Sequence, residues 1–323
     1  MNLQTSPERI EITGNLRRRP SIWRRCVQRW QLFCFILVPL AYIVIFCYVP
    51  MFGVQIAFRD FTPSKGIFGS PWVGLKHFRT FFGSYQAMRV IVNTLRLSFY
   101  GLLVSFPMAI FFALQLNLVQ NIRFKKFTQT LTYIPHFIST TVIVGMIFQI
   151  FSSVSGLYGN VMKLITGAMP PDIFGKASNF PHIYVWSGIW QGLGWSSIIY
   201  MAALAGVDPQ LHEAAQIDGA SRFQRIRYID LPSILPTAAV LLILDSGSIM
   251  SVGFEKAYLL QNTMNTSYSE ILSTYVYKVG LNSVSSFSYG TAVGLFNSVV
   301  NCAILVTVNI LSRKLSDNQT SLW

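Results

Sequence analysis

The chain has 323 residues and a net charge of +13, with 52% hydrophobic and only 11% charged residues, and its mean hydropathy is +0.46. Soluble proteins carry about 25% charged residues, so this composition excludes an ordinary water-soluble enzyme and points to an exterior immersed in lipid. The surplus of Lys and Arg flanks long apolar runs, as it does at the cytoplasmic ends of membrane spans, so nucleic acid is not expected as a partner and membrane lipid is.

A helix crosses the hydrocarbon core in about 20 apolar residues. Windows of that kind lie at 31–50, 97–116, 132–152, 183–206, 233–254 and 290–312, and only the fifth contains a formal charge, Asp245. The predicted fold class is therefore all-α, a polytopic membrane protein with six transmembrane helices. Residues 1–30 form a basic N-terminal segment, 31–312 the transmembrane domain and 313–323 a tail.

Seven arginines (Arg9, Arg17, Arg18, Arg19, Arg24, Arg25, Arg29) precede the first window. With six spans, the other segments on that side add Arg123, Lys125, Lys126, Arg222, Arg225, Arg227, Arg313 and Lys314. The opposite side collects Arg59, Lys65, Lys76, Arg79, Arg89, Lys163, Lys176, Lys256 and Lys278. This imbalance places both termini in the cytoplasm. The arginine-rich start, with no small-residue cleavage site after the first window, argues against a removed secretory signal. Cys26, Cys34, Cys47 and Cys302 lie in or beside apolar stretches without a CxxC pair, so neither a disulfide framework nor a zinc site is expected. Pro39, Pro107, Pro135, Pro236, Gly145 and Gly247 fall within the windows, where such residues kink helices or let them approach closely.

The segment between the fourth and fifth windows carries the clearest local signals. Asp208 before Pro209 is a helix start, a capping carboxylate followed by a residue with helical φ already set. Gly219 can adopt the positive φ that stops a helix, which predicts a short helix over 209–218. Phe223, Ile226 and Ile229 then recur at spacing three with Arg222, Arg225 and Arg227 among them, and Pro232 is expected to end this second piece. The pattern predicts a helical elbow on the membrane surface, apolar residues inward and arginines toward lipid phosphate. On pattern alone, a purely structural elbow remains open.

The spaced set Glu213-Ala214-Ala215, Gly219, Ile229 and Leu231-Pro232, with Asp218, Ala220 and Pro236 around it, resembles the cytoplasmic loop of permease subunits of ATP-binding-cassette importers. Stretches at 48–58, 71–75, 133–139 and 269–280 are similar to the LplB branch of sugar-importer permeases. That resemblance implies a type I importer (MetI-like) permease fold with a cytoplasmic coupling loop at 207–232. ATPase-coupling residues would be Glu213, Ala214, Ala215, Asp218, Gly219, Arg222, Ile229 and Pro232. It further implies a bacterial inner membrane and a heterodimer with a second permease subunit. Two ATP-binding subunits that use ATP and Mg, and an extracytoplasmic solute-binding protein, would complete the assembly. The implied cargo is an oligosaccharide, with acidic, uronate-containing ones associated with the branch. The large external domain of the maltose permease has no counterpart here.

No nucleotide-cradling loop occurs, the nearest approach being Gly69 to Lys76 with Leu75 out of place. Neither HExxH, a nucleophile elbow nor a paired carboxylate set is present, so no catalytic residues, metal or bound cofactor are expected. His136 is expected to be packed and His212 to face water. Polar side chains inside spans are costly and should face a partner helix or a transport path. The substrate-path candidates are Gln149, Trp190, Gln191, Asp245, Asn297 and Asn301, with Trp186 and Trp195 beside them. Helix pairing is the competing role for each, particularly for Asp245 if the cargo is acidic, whereas the external basic residues could attract such a cargo. Two other functions stay open: an ion-coupled secondary transporter, poorly served by a single Asp245, and a non-transporting scaffold.

Overall fold

A computed structural model describes residues 30–280 and 287–315. The seven N-terminal arginines, Cys26 and the tail beyond 315 lie outside the described residues. The chain divides into two units, one ending at Gly53 and the other starting at Val54.

In the first unit, α1 (Trp30–Ile43) runs on through a π-helical turn, Val44–Tyr48, and a further turn, Val49–Met51. Most of its described side chains are apolar and exposed. A helix apolar on every face needs lipid or protein on every face.

The second unit is helical. It contains α2 (Lys76–Phe82), α3 (Tyr85–Leu118), α4 (Ile122–Tyr133), α5 (Thr140–Phe151), α6 (Leu157–Thr166) and α7 (Phe180–Ala205). There follow α8 (Pro209–Ile217), α9 (Arg222–Arg225), α10 (Leu231–Ser246), α11 (Phe254–Leu260), α12 (Leu272–Gly280) and α13 (Phe287–Leu315). Among the described residues the β structure is one isolated bridge, Arg59 to Trp72.

Four stretches are long and apolar enough to cross a membrane, Trp30–Phe58, Tyr85–Leu118, Arg222–Ser246 and Phe287–Lys314, and a bent pair makes up to five. The bent pair coincides with the third window, where Pro135 is expected to allow a kink. Chain direction turns by 102° between Ile122–Phe137 and Thr140–Phe151. Pro135 lacks the N–H a continuing helix needs, and Ser139 caps a new start, its hydroxyl accepting from the Val142 N–H at 3.4 Å. The fourth window is α7, whose 26 residues span about 39 Å at the α-helical rise. It is long enough, but Ser187, Gln191, Ser196 and Ser197 dilute its apolar character.

Two boundaries also move. α3 begins well before the second window because Arg89 and Arg96, excluded from a charge-free window, are helical and engaged: Arg89 with Glu270, Arg96 over the Tyr268 ring at 4.8 Å. The fifth window unwinds after Ser246. There Asn301 closes the frayed end, its Oδ1 accepting from the Met250 N–H and its Nδ2 donating to the Ser251 hydroxyl, both at 2.8 Å.

Three buried clusters hold the second unit together. One gathers Leu97, Ile143, Phe180, Leu260 and Ile271; a second Phe81, Val90, Met250, Leu272 and Val293; a third Ala113, Tyr200, Leu204 and Ile234. Each joins residues from several helices, so apolar burial at about 25 cal/mol per Å² fixes how they pack. Gly194 marks the closest approach. A Cβ there would collide with the Thr132 carbonyl and the Tyr133 ring, so α7 can lie against α4 only with glycine at that place.

Candidate coupling elbow and transport path

The elbow is built largely from its own sequence. The Asp208 carboxylate accepts from the Gln210 N–H at 2.9 Å, and Pro209 occupies the first turn of α8. At the other end Gly219 has φ +77°. The Ala220 N–H reaches the Ala215 carbonyl at 2.8 Å and the Gly219 N–H the Gln216 carbonyl at 3.1 Å, the paired bonds of a Schellman stop. Ser221 and Gln224 then form a reciprocal capping box that starts α9.

Pro232 does not end the second piece, contrary to expectation. α9 passes through a π-helical turn, Ile226–Asp230, into α10, so that Arg222–Ser246 is continuous over 25 residues. The widened turn carries the Leu231 N–H to the Ile226 carbonyl, and proline in the first turn of α10 has no N–H to satisfy. The elbow is thus joined to a span without a break. Phe223 also departs from the inward set: it is 69% exposed, while Ile226 and Ile229 are half-buried.

Of the coupling candidates, Glu213, Ala214, Asp218, Gly219, Arg222 and Pro232 are exposed, and Ala215 and Ile229 half-buried. Leu211 and Ile217 stand out at 53% and 87% exposure. Glu213 and Arg222 share a groove of about 410 Å³ with His212, Gln216, Arg225 and Asp230. His212 does not simply face water. Its Nε2 lies 3.2 Å from an oxygen of the buried Asp230, and its side chain is only 25% exposed. Asn117 of α3 approaches the same oxygen at 3.4 Å. This pair links α8 to the foot of α10, and sequence spacing gave no sign of it.

The substrate-path candidates do not converge on one place. Gln191 donates to the Ile138 carbonyl at 3.2 Å, and Asn301 closes α10, so both join segments of the chain. Gln149 and Trp190 are exposed. Asn297 is half-buried, and its Oδ1 is sequestered without a hydrogen-bond partner. The tryptophans divide: Trp186 donates to the Tyr100 hydroxyl at 3.0 Å, whereas Trp195 stacks on His136 at 4.4 Å, which is the packed role expected of that histidine. Asp245 lines a cavity of about 360 Å³ with Ser105, Trp195, Ser196 and Tyr200. A second cavity, about 280 Å³, lies between α3 and α7 and shares Ser105 and Ser196 with it.

Several of the basic residues expected on the external side are already engaged. Lys76 and His77 hold Asp60 at 2.7 and 3.1 Å, and the Lys76 ammonium keeps that carboxyl below its usual range. Arg89 and Lys278 meet the two oxygens of Glu270 at 2.5 and 3.3 Å.

Residues 105–317 match the family model of the binding-protein-dependent transport system inner membrane component. The chain belongs to that family. This permease is 40% identical over 313 residues to protein LplB of Bacillus subtilis, covering 97% of this chain and 98% of that one. It is 41% identical over 300 residues to the polygalacturonan/rhamnogalacturonan transport system permease protein YteP of Bacillus subtilis, covering 93% of each. Its fold superposes with a TM-score of 0.85 and 37% identity on a chain of a bacterial alginate ABC transporter solved in complex with an alginate pentasaccharide-bound periplasmic protein, covering 94% of this chain and 100% of that one. The permease is accordingly a helical inner-membrane transport component of the MetI-like fold.

Proposed function

We propose that this permease carries an acidic, uronate-containing oligosaccharide through the membrane as part of an ATP-binding-cassette importer. It pairs with a second permease subunit and receives cargo from an extracytoplasmic binding protein. Two ATP-binding subunits, which consume ATP and Mg, dock on α8 from the cytoplasm, on the side of both termini.

The observation that carries this reading is the build of α8. It is capped at both ends, presents Leu211, Ile217 and Glu213 outward, and is tied by His212 and Asp230 to the foot of a continuous helix. Apolar anchors beside a charge are what a helix offers to a partner's groove. A push on α8 reaches α10 through the buried pair instead of dissipating in a loop. Nearby alanines 214 and 215 let a partner come close. The cargo is supported by the chemistry of the relatives, one named for polygalacturonan and rhamnogalacturonan and one bound to a protein holding an alginate pentasaccharide: both saccharides carry carboxylates.

The test is uptake by the complete transporter in proteoliposomes with labelled oligogalacturonate or oligoalginate and its binding protein. Accumulation that requires ATP and co-purification of the ATP-binding subunits are expected. Accumulation driven by an ion gradient without ATP would overturn the reading in favour of a secondary transporter.

A further inference from the structure

The cavity between α3 and α7 is lined by aliphatic side chains together with Ser105, Ser196, Gly188, Gly192 and the ring of Tyr184. Behind this wall, on α11, lies Lys256. Lys256 is 8% exposed, and its Nζ is buried without a hydrogen-bond partner. The ring of Tyr184 lies 5.3 Å from that Nζ. A Cβ on Gly188 would come within 3.3 Å of it, so the absent side chain leaves the ammonium bordering the residue that lines the cavity.

A buried ammonium is costly unless it is paired and hydrogen-bonded, and a ring face offers attraction but no acceptor. The adjacent carboxylate does not serve: Glu255 accepts from the Thr141 hydroxyl at 3.2 Å, turned toward α5. Asp245 lines the adjoining cavity, so of the two the cavity backed by Lys256 is the one suited to an anion. We propose that Lys256 holds a carboxylate of the translocated saccharide, approached from the cavity past the bare backbone of Gly188, with Tyr184 and the neighbouring hydroxyls receiving the sugar ring. The proposal rests on the acidic cargo argued above and adds the group that recognises its charge.

The experiment compares uptake of an oligogalacturonate with uptake of its carboxyl-reduced counterpart in proteoliposomes of the complete transporter. The same binding protein is used for both, so the ratio is independent of how much transporter assembles. Lys256→Met preserves volume and removes the charge. It is expected to lower the acidic-to-neutral ratio at least tenfold. An unchanged ratio overturns the proposal. If Lys256→Met fails to assemble, Gly188→Ala, which sets a methyl between the cavity and the ammonium, is read the same way: a lowered ratio supports the proposal and an unchanged one overturns it. Failure of the unmodified transporter to take up either saccharide sinks the cargo reading and the proposal with it, whereas uptake of both with ratios indifferent to Lys256 sinks the proposal alone.

Discussion

The elbow at 208–230 and the segment at 260–278 are both short helical pieces at the ends of spans, and opposite means hold them. The elbow's bonds are mostly local: Asp208 to Gln210, Ala215 to Ala220, Ser221 to Gln224. At 260–278 the ties cross the chain. Asn93 donates to the Ser267 and Glu270 carbonyls, the Leu272 N–H reaches the Thr94 hydroxyl, and Arg89 meets Glu270 from 181 residues away. Asn265 and Ser269 close the knot among themselves, both nearly inaccessible. A piece that satisfies itself locally keeps its outer side chains for another protein. One sewn into its own fold by distant residues can frame a path but has little left to dock with.

The sharpest way to break this contrast is at Gly219. Its φ of +77° is costly for a β-branched residue, roughly 1–3 kcal/mol for a side chain held in such a region, and the Schellman stop depends on it. Gly219→Val is expected to abolish ATP-driven uptake and release the ATP-binding subunits on purification, while the elbow, held by local bonds, relieves the strain by rearranging locally, so that the cooperative unfolding of the spans is retained. Retained uptake would mean that the angle between α8 and α9 does not transmit anything.

The converse holds at Glu270, whose two oxygens face Arg89 and Lys278. Glu270→Gln keeps the shape and removes the charge, leaving two cations without their shared anion. Removing one partner of a fully buried pair costs about 3–5 kcal/mol. Arg89 and Lys278 are about a third exposed, so solvent screening lowers the expected loss to about 2 kcal/mol. Thermal unfolding in detergent should show it, with docking of the ATP-binding subunits on α8 unaffected. A loss of docking instead would erase the distinction between the two regions.

The same contrast explains what could be read from sequence. α8 was legible to within a residue because its start and stop are written in adjacent side chains, Asp208-Pro209 and Gly219. The family could be read there too, since the spaced residues lie within one loop. Partnerships across the fold were not legible: nothing near Asn93, Glu270 or Lys256 in the chain names what each would meet. Over 132–152 Pro135 marked where a kink could fall, but hydropathy could not give the 102° turn, because apolar character does not register which N–H groups lack acceptors. Asn301 and Gln191 are path candidates in the sequence, and the chain-closing bonds they make could not be read there, because a polar side chain in a span looks the same whatever it meets.

The mildest test concerns the joint between the elbow and its span. His212 is the side chain of α8 that turns back, and its partner Asp230 is 2% exposed. Removing the imidazole leaves that carboxylate with the Asn117 amide at 3.4 Å, and an unsatisfied buried group costs about 1–3 kcal/mol. A rigid link between α8 and α10 should therefore loosen, and His212→Ala is expected to lower the number of saccharides moved per ATP several-fold while the ATP-binding subunits still co-purify. Asp230→Asn, which preserves a hydrogen bond to His212 without the charge, should stay near the unmodified ratio. If His212→Ala lowers thermal stability but leaves that ratio intact, the pair merely braces the elbow, and force must pass to α10 through the continuous helix from Arg222 alone.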